Sequence, residues 1–223
     1  MYYFSWNYRF FCSSMWRTVL LGLVLGHASY AQTMQTPVVN PGLVYWQEGG
    51  KLRWTDFQAP HNLTADTRAG AHTETVINVI IDEDEQRRPT FSVACYFIKM
   101  GSWVRDSSLS NNQTLLAHEQ LHFDIAELFA RKIRYRIAQC MRSGCNAWAP
   151  ELSKEIKCLL QEREELNAAF DQEAWADPSL PPVYKWQAVV QHELTLLAPY
   201  KSKAATGELH GCTGNGNGNG NGK

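Results

Sequence analysis

The chain has 223 residues, with 21 basic and 22 acidic side chains and a formal net charge of −1. That balance gives no electrostatic reason to expect nucleic acid or an anionic membrane surface as partner. An apolar share of 44%, with 8 Trp, 9 Tyr and 9 Phe, is enough for one packed core, and one domain is the expectation at this length.

The first thirty residues read as an address. Arg17 precedes an apolar run from Thr18 to Gly26, and Ser29-Tyr30-Ala31 stands before Gln32. Basic, apolar and small-residue regions in that order form a signal peptide, residues 1–31, cleaved after Ala31. The expectation is an exported protein, periplasmic or extracellular, with no stable membrane span after cleavage. The apolar run is shorter than the about 20 residues that a membrane helix needs. An uncleaved N-terminal anchor is the alternative, and Met15 competes with Met1 as the start. Cys12 goes with the leader, leaving Cys95, Cys140, Cys145, Cys158 and Cys212. These can pair in an oxidising compartment, and an odd count leaves a thiol over. No C-x-x-C pair is present, so structural pairing is expected ahead of a thiolate metal site, with the connectivity open.

From Gln32 to Asn40 the chain is polar. Leu43 to Trp46 predicts a short strand, Glu48 to Lys51 a turn, and the alternating Leu52 to Phe57 a second strand or strand end. Pro60 to Gly70 is loop-like. The β-branched run Thr75 to Ile81 predicts a strand, Asp82 to Pro89 a charged hairpin loop, and Thr90 to Ile98 the returning strand. Ser107 to Asn112 supplies polar residues suited to a helix start. Apolar positions from Leu115 to Ile137 then keep helical spacing to about Cys140. Asn146 to Pro150 breaks the pattern, and a second long helix runs from Glu151 to about Ala174 on the stripe Ile156, Leu159, Leu160, Leu166 and Phe170. The three prolines Pro178, Pro181 and Pro182 stop it. Lys185 to Leu197 predicts a shorter helix, and residues 206–223 form a flexible Gly/Asn-rich tail. Strands first and helices afterwards predict an α+β domain over residues 32–205: a small, mainly antiparallel sheet, then two long antiparallel helices.

The first long helix carries His118-Glu119-Gln120-Leu121-His122, of the form H-E-x-x-H. Residues four apart share a helix face, so both imidazoles can reach one metal ion. Glu119 follows His118 by about 100° of turn, close enough to serve a water without being a ligand. Two His ligands with a Glu general base form the core of a zinc hydrolase site. The third ligand must come from elsewhere. No His or glycine turn follows at the spacing of the longer H-E-x-x-H-x-x-G-x-x-H form, and Asp124 and Glu127 lie on the wrong face. An antiparallel second helix would return its end to the motif, which makes Glu173 the first choice and Asp171 the second. His192, His72 and His61 are lesser candidates, more readily ordinary surface or loop histidines. Tyr184 or His192 is a guess at an oxyanion-stabilising group. An exposed edge on the strand before the motif helix could hold an extended peptide above the metal. Asp124 is read either as an orienter of a metal-bound histidine or as a surface acid. The run Arg131, Lys132, Arg134 and Arg136 is read as the solvated side of the helix.

Three segments, Leu52 to Gln58, Gly101 to Val104 and Leu116 to Glu127, resemble a bacterial family, the domain of unknown function numbered 922. That family is grouped with zincin-type metallopeptidases and described as predicted secreted Zn-dependent proteases. The resemblance spans about Val44 to Trp186 and is most specific over the motif helix. It implies a zincin-like fold, a bound Zn²⁺ and an acid ligand near the end of the second helix. There the family shows a Tyr-Asp-x-Glu-Thr-x-His-type segment. Phe170-Asp171-Gln172-Glu173-Ala174-Trp175-Ala176 keeps both acids and lacks the Tyr, Thr and His. Trp54, Asp56 and Trp103 recur in the resemblance. Trp103 is a candidate cleft residue, although core aromatics with Asp56 capping a turn are the preferred reading of the three. The expectation is a zinc metalloprotease acting on a protein or peptide. Its rival is a non-catalytic exported binding or envelope-associated domain on the same scaffold.

Overall fold

The computed structural model describes residues 40–61, 69–145, 148, 150–176 and 183–202. All of them belong to the larger of the two units into which the chain divides, Pro37–Lys223. The leader, the loop between residues 62 and 68, the proline-rich stop and the Gly/Asn tail lie outside the described residues. No helix among those described is long and apolar enough to cross a membrane.

The fold is α+β. β1 (Leu43–Tyr45), β3 (Thr75–Glu83) and β4 (Pro89–Ile98) form an antiparallel sheet in the order β1-β4-β3. β2 (Ala71–His72) and β5 (Trp103–Val104) form a separate antiparallel pair. β3 and β4 make a hairpin paired from Thr75↔Phe97 to Glu83↔Pro89. The charged loop is therefore tighter than its sequence suggests. Asp84 closes it, accepting the backbone N–H groups of Gln86 at 2.9 Å and Arg88 at 2.8 Å. Along β4 the period of two turns Phe91, Cys95 and Phe97 to the buried face.

Two expectations about this half are corrected. Leu52 to Phe57 is no strand: Trp54–Asp56 is a single 3-10 turn. The Asp56 carboxylate accepts the Arg53 N–H at 2.9 Å and lies 3.1 Å from Lys99 Nζ, which fixes a turn where alternation suggested extension. β4, the last long strand before the motif helix, is central: β3 pairs along its length and β1 over Tyr96–Ile98, so the end that leads towards the motif helix is flanked on both sides and offers no free edge.

The three helices are α1 (Gln113–Arg142), α2 (Pro150–Ala176) and α3 (Val183–Leu196). Asn112 caps α1, its Oδ1 accepting the Leu115 N–H at 2.9 Å. Gly144, at φ +68°, supplies the left-handed residue that ends it. A disulfide between Cys140 and Cys145 closes the turn beyond. Cys95 is a buried free thiol, and Cys158 is an exposed one on α2. α1 is the centre of the molecule. Phe123, Ala126 and Ala130 meet the sheet through Cys95 and Phe97. Leu121, Ile125 and Leu128 meet Phe170 of α2 and Val190 and Leu194 of α3. Ile133 and Ile137 meet Phe91 and the start of α2. α1 is thus covered by the sheet on one side and by α2 and α3 on others, which buries even polar residues along it.

The basic run is also corrected, because Arg131 is only 2% exposed and Glu127 1%. Arg131 Nε and Arg134 Nη1 both donate to Glu127 Oε1 at 3.0 Å. The remaining guanidinium groups tie α1 to its neighbours. Arg131 Nη1 donates to Leu194 O at 2.6 Å, and Arg134 donates to Val93 O at 3.0 and 3.1 Å and to Tyr200 O at 3.0 Å. Arg131 also stands over the Trp46 ring, 5.0 Å from its centroid. Arg136 fits the solvated reading, pairing with Glu155 at the surface, and Lys132, half-buried like Arg136, lays its Nζ 4.4 Å from the Phe129 ring centroid.

Removing one partner from such a cluster strands the rest without compensation, so Glu127→Leu is expected to lower stability by about 3–5 kcal/mol. Arg136→Ala should cost less than about 1 kcal/mol. Urea unfolding followed by circular dichroism checks both, and a mild Glu127→Leu would refute the clamp.

Candidate metal centre

The motif occupies the second and third turns of α1, and its five residues face two ways. Gln120 and Leu121 turn inward, 4% and 0% exposed. Gln120 Oε1 accepts the Leu52 N–H at 2.8 Å, and Gln120 Nε2 donates to Asp124 Oδ1 at 2.9 Å. Trp46 Nε1 donates to the same Asp124 oxygen at 2.8 Å. Asp124 is thus neither an orienter of a histidine nor a surface acid. It fastens the chain after β1 to α1, and burial pushes its carboxyl up despite these hydrogen bonds.

His118 and His122 lie on the other face, with side chains 15% and 14% exposed. Their Nε2 atoms are 3.1 Å apart. Asp171 from α2 completes a triangle, its Oδ1 standing 3.0 Å from His118 Nε2 and 3.1 Å from His122 Nε2. The three residues form a group able to hold a metal ion. Two imidazole nitrogens and a carboxylate oxygen at such distances must share protons or share a cation. A tetrahedral Zn²⁺ with bonds of about 2.0–2.1 Å has ligand atoms about 3.3 Å apart, so an ion fits after a small outward adjustment. Neutral imidazole and carboxylate are also the ligand types that zinc takes. Phe170 forms one wall, its centroid 4.4 Å from that of His118 and 5.2 Å from that of His122.

Of the two acids named from sequence, the structure brings Asp171 to the histidines and takes Glu173 elsewhere. Glu173 accepts Lys185 Nζ at 2.8 Å and Trp186 Nε1 at 2.9 Å, clasping the end of α2 to the start of α3. Those two hydrogen bonds hold its carboxyl below the ordinary value. Glu119 is 3% exposed, and no hydrogen bond reaches its carboxylate among the described residues. Its charge is one of those acting on His122. Thr73 Oγ1 approaches the Glu119 carbonyl at 3.4 Å, bringing the end of β2 to the motif.

The other candidates are spread over the surface. His192 is exposed on α3, Tyr184 is 67% exposed, and neither touches the triad among the described residues. His61 and His72 pack against Trp103, with centroids 4.8 and 5.9 Å away. Trp103 is 6% exposed and pairs across strands with His72. Asn167, which the sequence reading missed, places its Oδ1 3.0 Å from His122 Nδ1. Its signal was its position four residues before Asp171, on the same face of α2.

Burial pulls the pKa of His122 down, but the Asp171 hydrogen bond and the charges of Glu119 and Asp171 outweigh it and raise the pKa to about 8. Asp171 is pushed up by burial, and the hydrogen bonds from both histidines more than reverse this, holding it well below the usual carboxylate range. In metal-free protein the His122 contribution to stability is fully present below the ordinary value of 6.5 and is lost as pH rises through about 8. The melting temperature of metal-free wild type is expected to fall over that window, and Asp171→Asn should flatten the fall. Zinc titration provides a second check. Asp171→Ala should lose most affinity, because a ligand is gone, whereas Glu173→Gln should bind as wild type. The opposite order would return Glu173 to the centre.

No curated protein and no solved structure matches the chain. Residues 106–175, which carry α1, most of α2 and every member of the His118–His122–Asp171 group, match a family model described as "Bacterial protein of unknown function (DUF922)". Over the segment that builds the centre, this chain is similar to that bacterial family of unknown function.

Proposed function

We propose that this protein is an exported zinc-dependent hydrolase, a metalloprotease acting on a protein or peptide. The observation that carries the reading is the convergence of His118 Nε2, His122 Nε2 and Asp171 Oδ1, with a buried carboxylate, Glu119, whose charge acts on His122 and to which no described residue donates a hydrogen bond. Bound there, zinc would supply Lewis acidity towards a carbonyl and towards water. The chain supplies the remainder. His118, His122 and Asp171 would hold the ion, and all three side chains retain some exposure, so solvent and substrate can reach them. Glu119 is the general base: its carboxylate takes a proton from the attacking water and returns it to the departing amine. A carboxylate to which no described residue donates a hydrogen bond is available for both transfers. Phe170 excludes water from one side of the two rings.

Export rests on the leader pattern of residues 1–31, and the Cys140–Cys145 disulfide agrees with an oxidising compartment. The rival reading, an exported metal-binding domain without catalysis, is favoured by one observation. Neither Tyr184 nor His192 reaches the centre among the described residues, so the charge developing on a carbonyl oxygen would have no protein donor from either.

The test combines metal analysis of purified protein with peptide hydrolysis by wild type and Glu119→Gln. Zinc near one equivalent in both is expected, with activity in Glu119→Gln reduced by about 10²–10⁴-fold. Zinc uptake without hydrolysis of any peptide library would favour the binding domain. Iron in place of zinc would abandon the hydrolase, because two His and one carboxylate also make an iron site.

A further inference from the structure

The two histidines of the centre are held by different means. His118 Nδ1 has no hydrogen-bond partner among the described residues. Its ring lies against Phe170, with centroids 4.4 Å and planes 30° apart. His122 meets the same phenyl ring edge-on, at 5.2 Å and 64°, and instead places Nδ1 3.0 Å from Asn167 Oδ1. A stacked wall limits the tilt of an imidazole but does not choose between its nitrogens. A hydrogen bond at Nδ1 does both.

An amide oxygen accepts and cannot donate. Opposite Asn167 Oδ1, His122 Nδ1 carries the proton. In the neutral ring this leaves Nε2 bare, and Nε2 is the atom that meets His118 Nε2 and Asp171 Oδ1. Asn167 and Asp171 sit one turn apart on α2, so the packing that delivers the carboxylate to one nitrogen delivers the amide to the other. A carboxylate at position 167 would orient the ring equally well. It would also add a third negative charge to a centre that already holds Asp171 and Glu119.

We infer that Asn167 is a positioning residue of the metal centre: it selects the tautomer of His122 that binds through Nε2 and fixes that ring's rotation, leaving Phe170 to hold His118 by stacking. The inference rests on the zinc reading above. It gives Asn167 no bond to metal or substrate, only command of the ligand beside it.

The experiment uses the full protein, wild type and with Asn167→Ala, Asn167→Leu or Asn167→Asp, each checked for a native melt. Zinc affinity is measured by competition with a chromophoric chelator. Long-range ¹H–¹⁵N spectra of the metal-free protein, taken where His122 is neutral, report its tautomer. The expected result is a loss of about 10- to 100-fold in zinc affinity for Ala and Leu, with most of it recovered by Asp. The expected spectra show protonated Nδ1 in wild type and Asn167→Asp, and mixed tautomers in the other two. Leu keeps the bulk of the side chain, so it separates lost packing from a lost acceptor. Zinc bound equally well by all four proteins, or a wild-type spectrum with the proton on Nε2, would overturn this inference alone. A wild type that binds no zinc would overturn the zinc reading and this inference with it.

Discussion

A carboxylate without access to water, answered by two guanidinium groups, fixes the orientation of the central helix. Glu127 is bonded by Arg131 and Arg134, and those cations also donate to main-chain carbonyls of β4, α3 and the turn after α3, with Arg131 Nη2 left buried and without a hydrogen-bond partner among the described residues. Apolar packing alone is tolerant of rotation, since one leucine can replace another in a contact. Charged hydrogen bonds are directional and costly to leave unmade. Once Arg131 and Arg134 have bonded Glu127 and those carbonyls, α1 has one rotation about its axis, and the facing directions of His118 and His122, about one to four turns away, follow from it.

The candidate centre is a property of a helix pair. α1 brings two nitrogens at fixed separation, and α2 brings the oxygen, the amide behind His122 and the phenyl wall. These three α2 groups stand at 167, 170 and 171, within little more than one turn. Glu173, two residues on, faces the other way and holds α3 in place through Lys185 and Trp186. Trp186 in turn packs on Phe170, with centroids 5.7 Å apart, so the clasp backs the wall on which the histidines rest.

The helical spacing of the motif is enough to put both imidazoles on one face, and the order of strands and helices is enough for the α+β class. The choice between Asp171 and Glu173 needs more. About the axis of α2, Glu173 lies about 60° to one side of Phe170 and Asp171 about 100° to the other. Both acids therefore flank the apolar stripe, and only the three-dimensional arrangement says which flank meets α1 and which meets α3. Arg131 and Arg134 were misplaced for a related reason. Charge suggests solvent, while the surrounding Phe129, Ala130 and Ile133 describe a helix covered on all sides. The spacing of Glu127, Arg131 and Arg134, at i, i+4 and i+7, was the available sign that the charges answer one another. Leu52 to Phe57 alternates like a strand, but the Asp56 side chain competes for the backbone and curls it.

The two faces of the motif carry different obligations. His118, Glu119 and His122 serve the centre, while Gln120 and Leu121 serve the interior, one as the hydrogen-bond anchor of Leu52 and the other as core. A descendant of this chain that no longer needed a metal would be released from the first obligation and still bound by the second. Its His118, Glu119 and His122 could drift freely while Gln120 and Leu121 stayed under the constraint of folding. The fossil of a lost centre in such a lineage would be the two middle letters of the motif, still in register, with the outer ones gone.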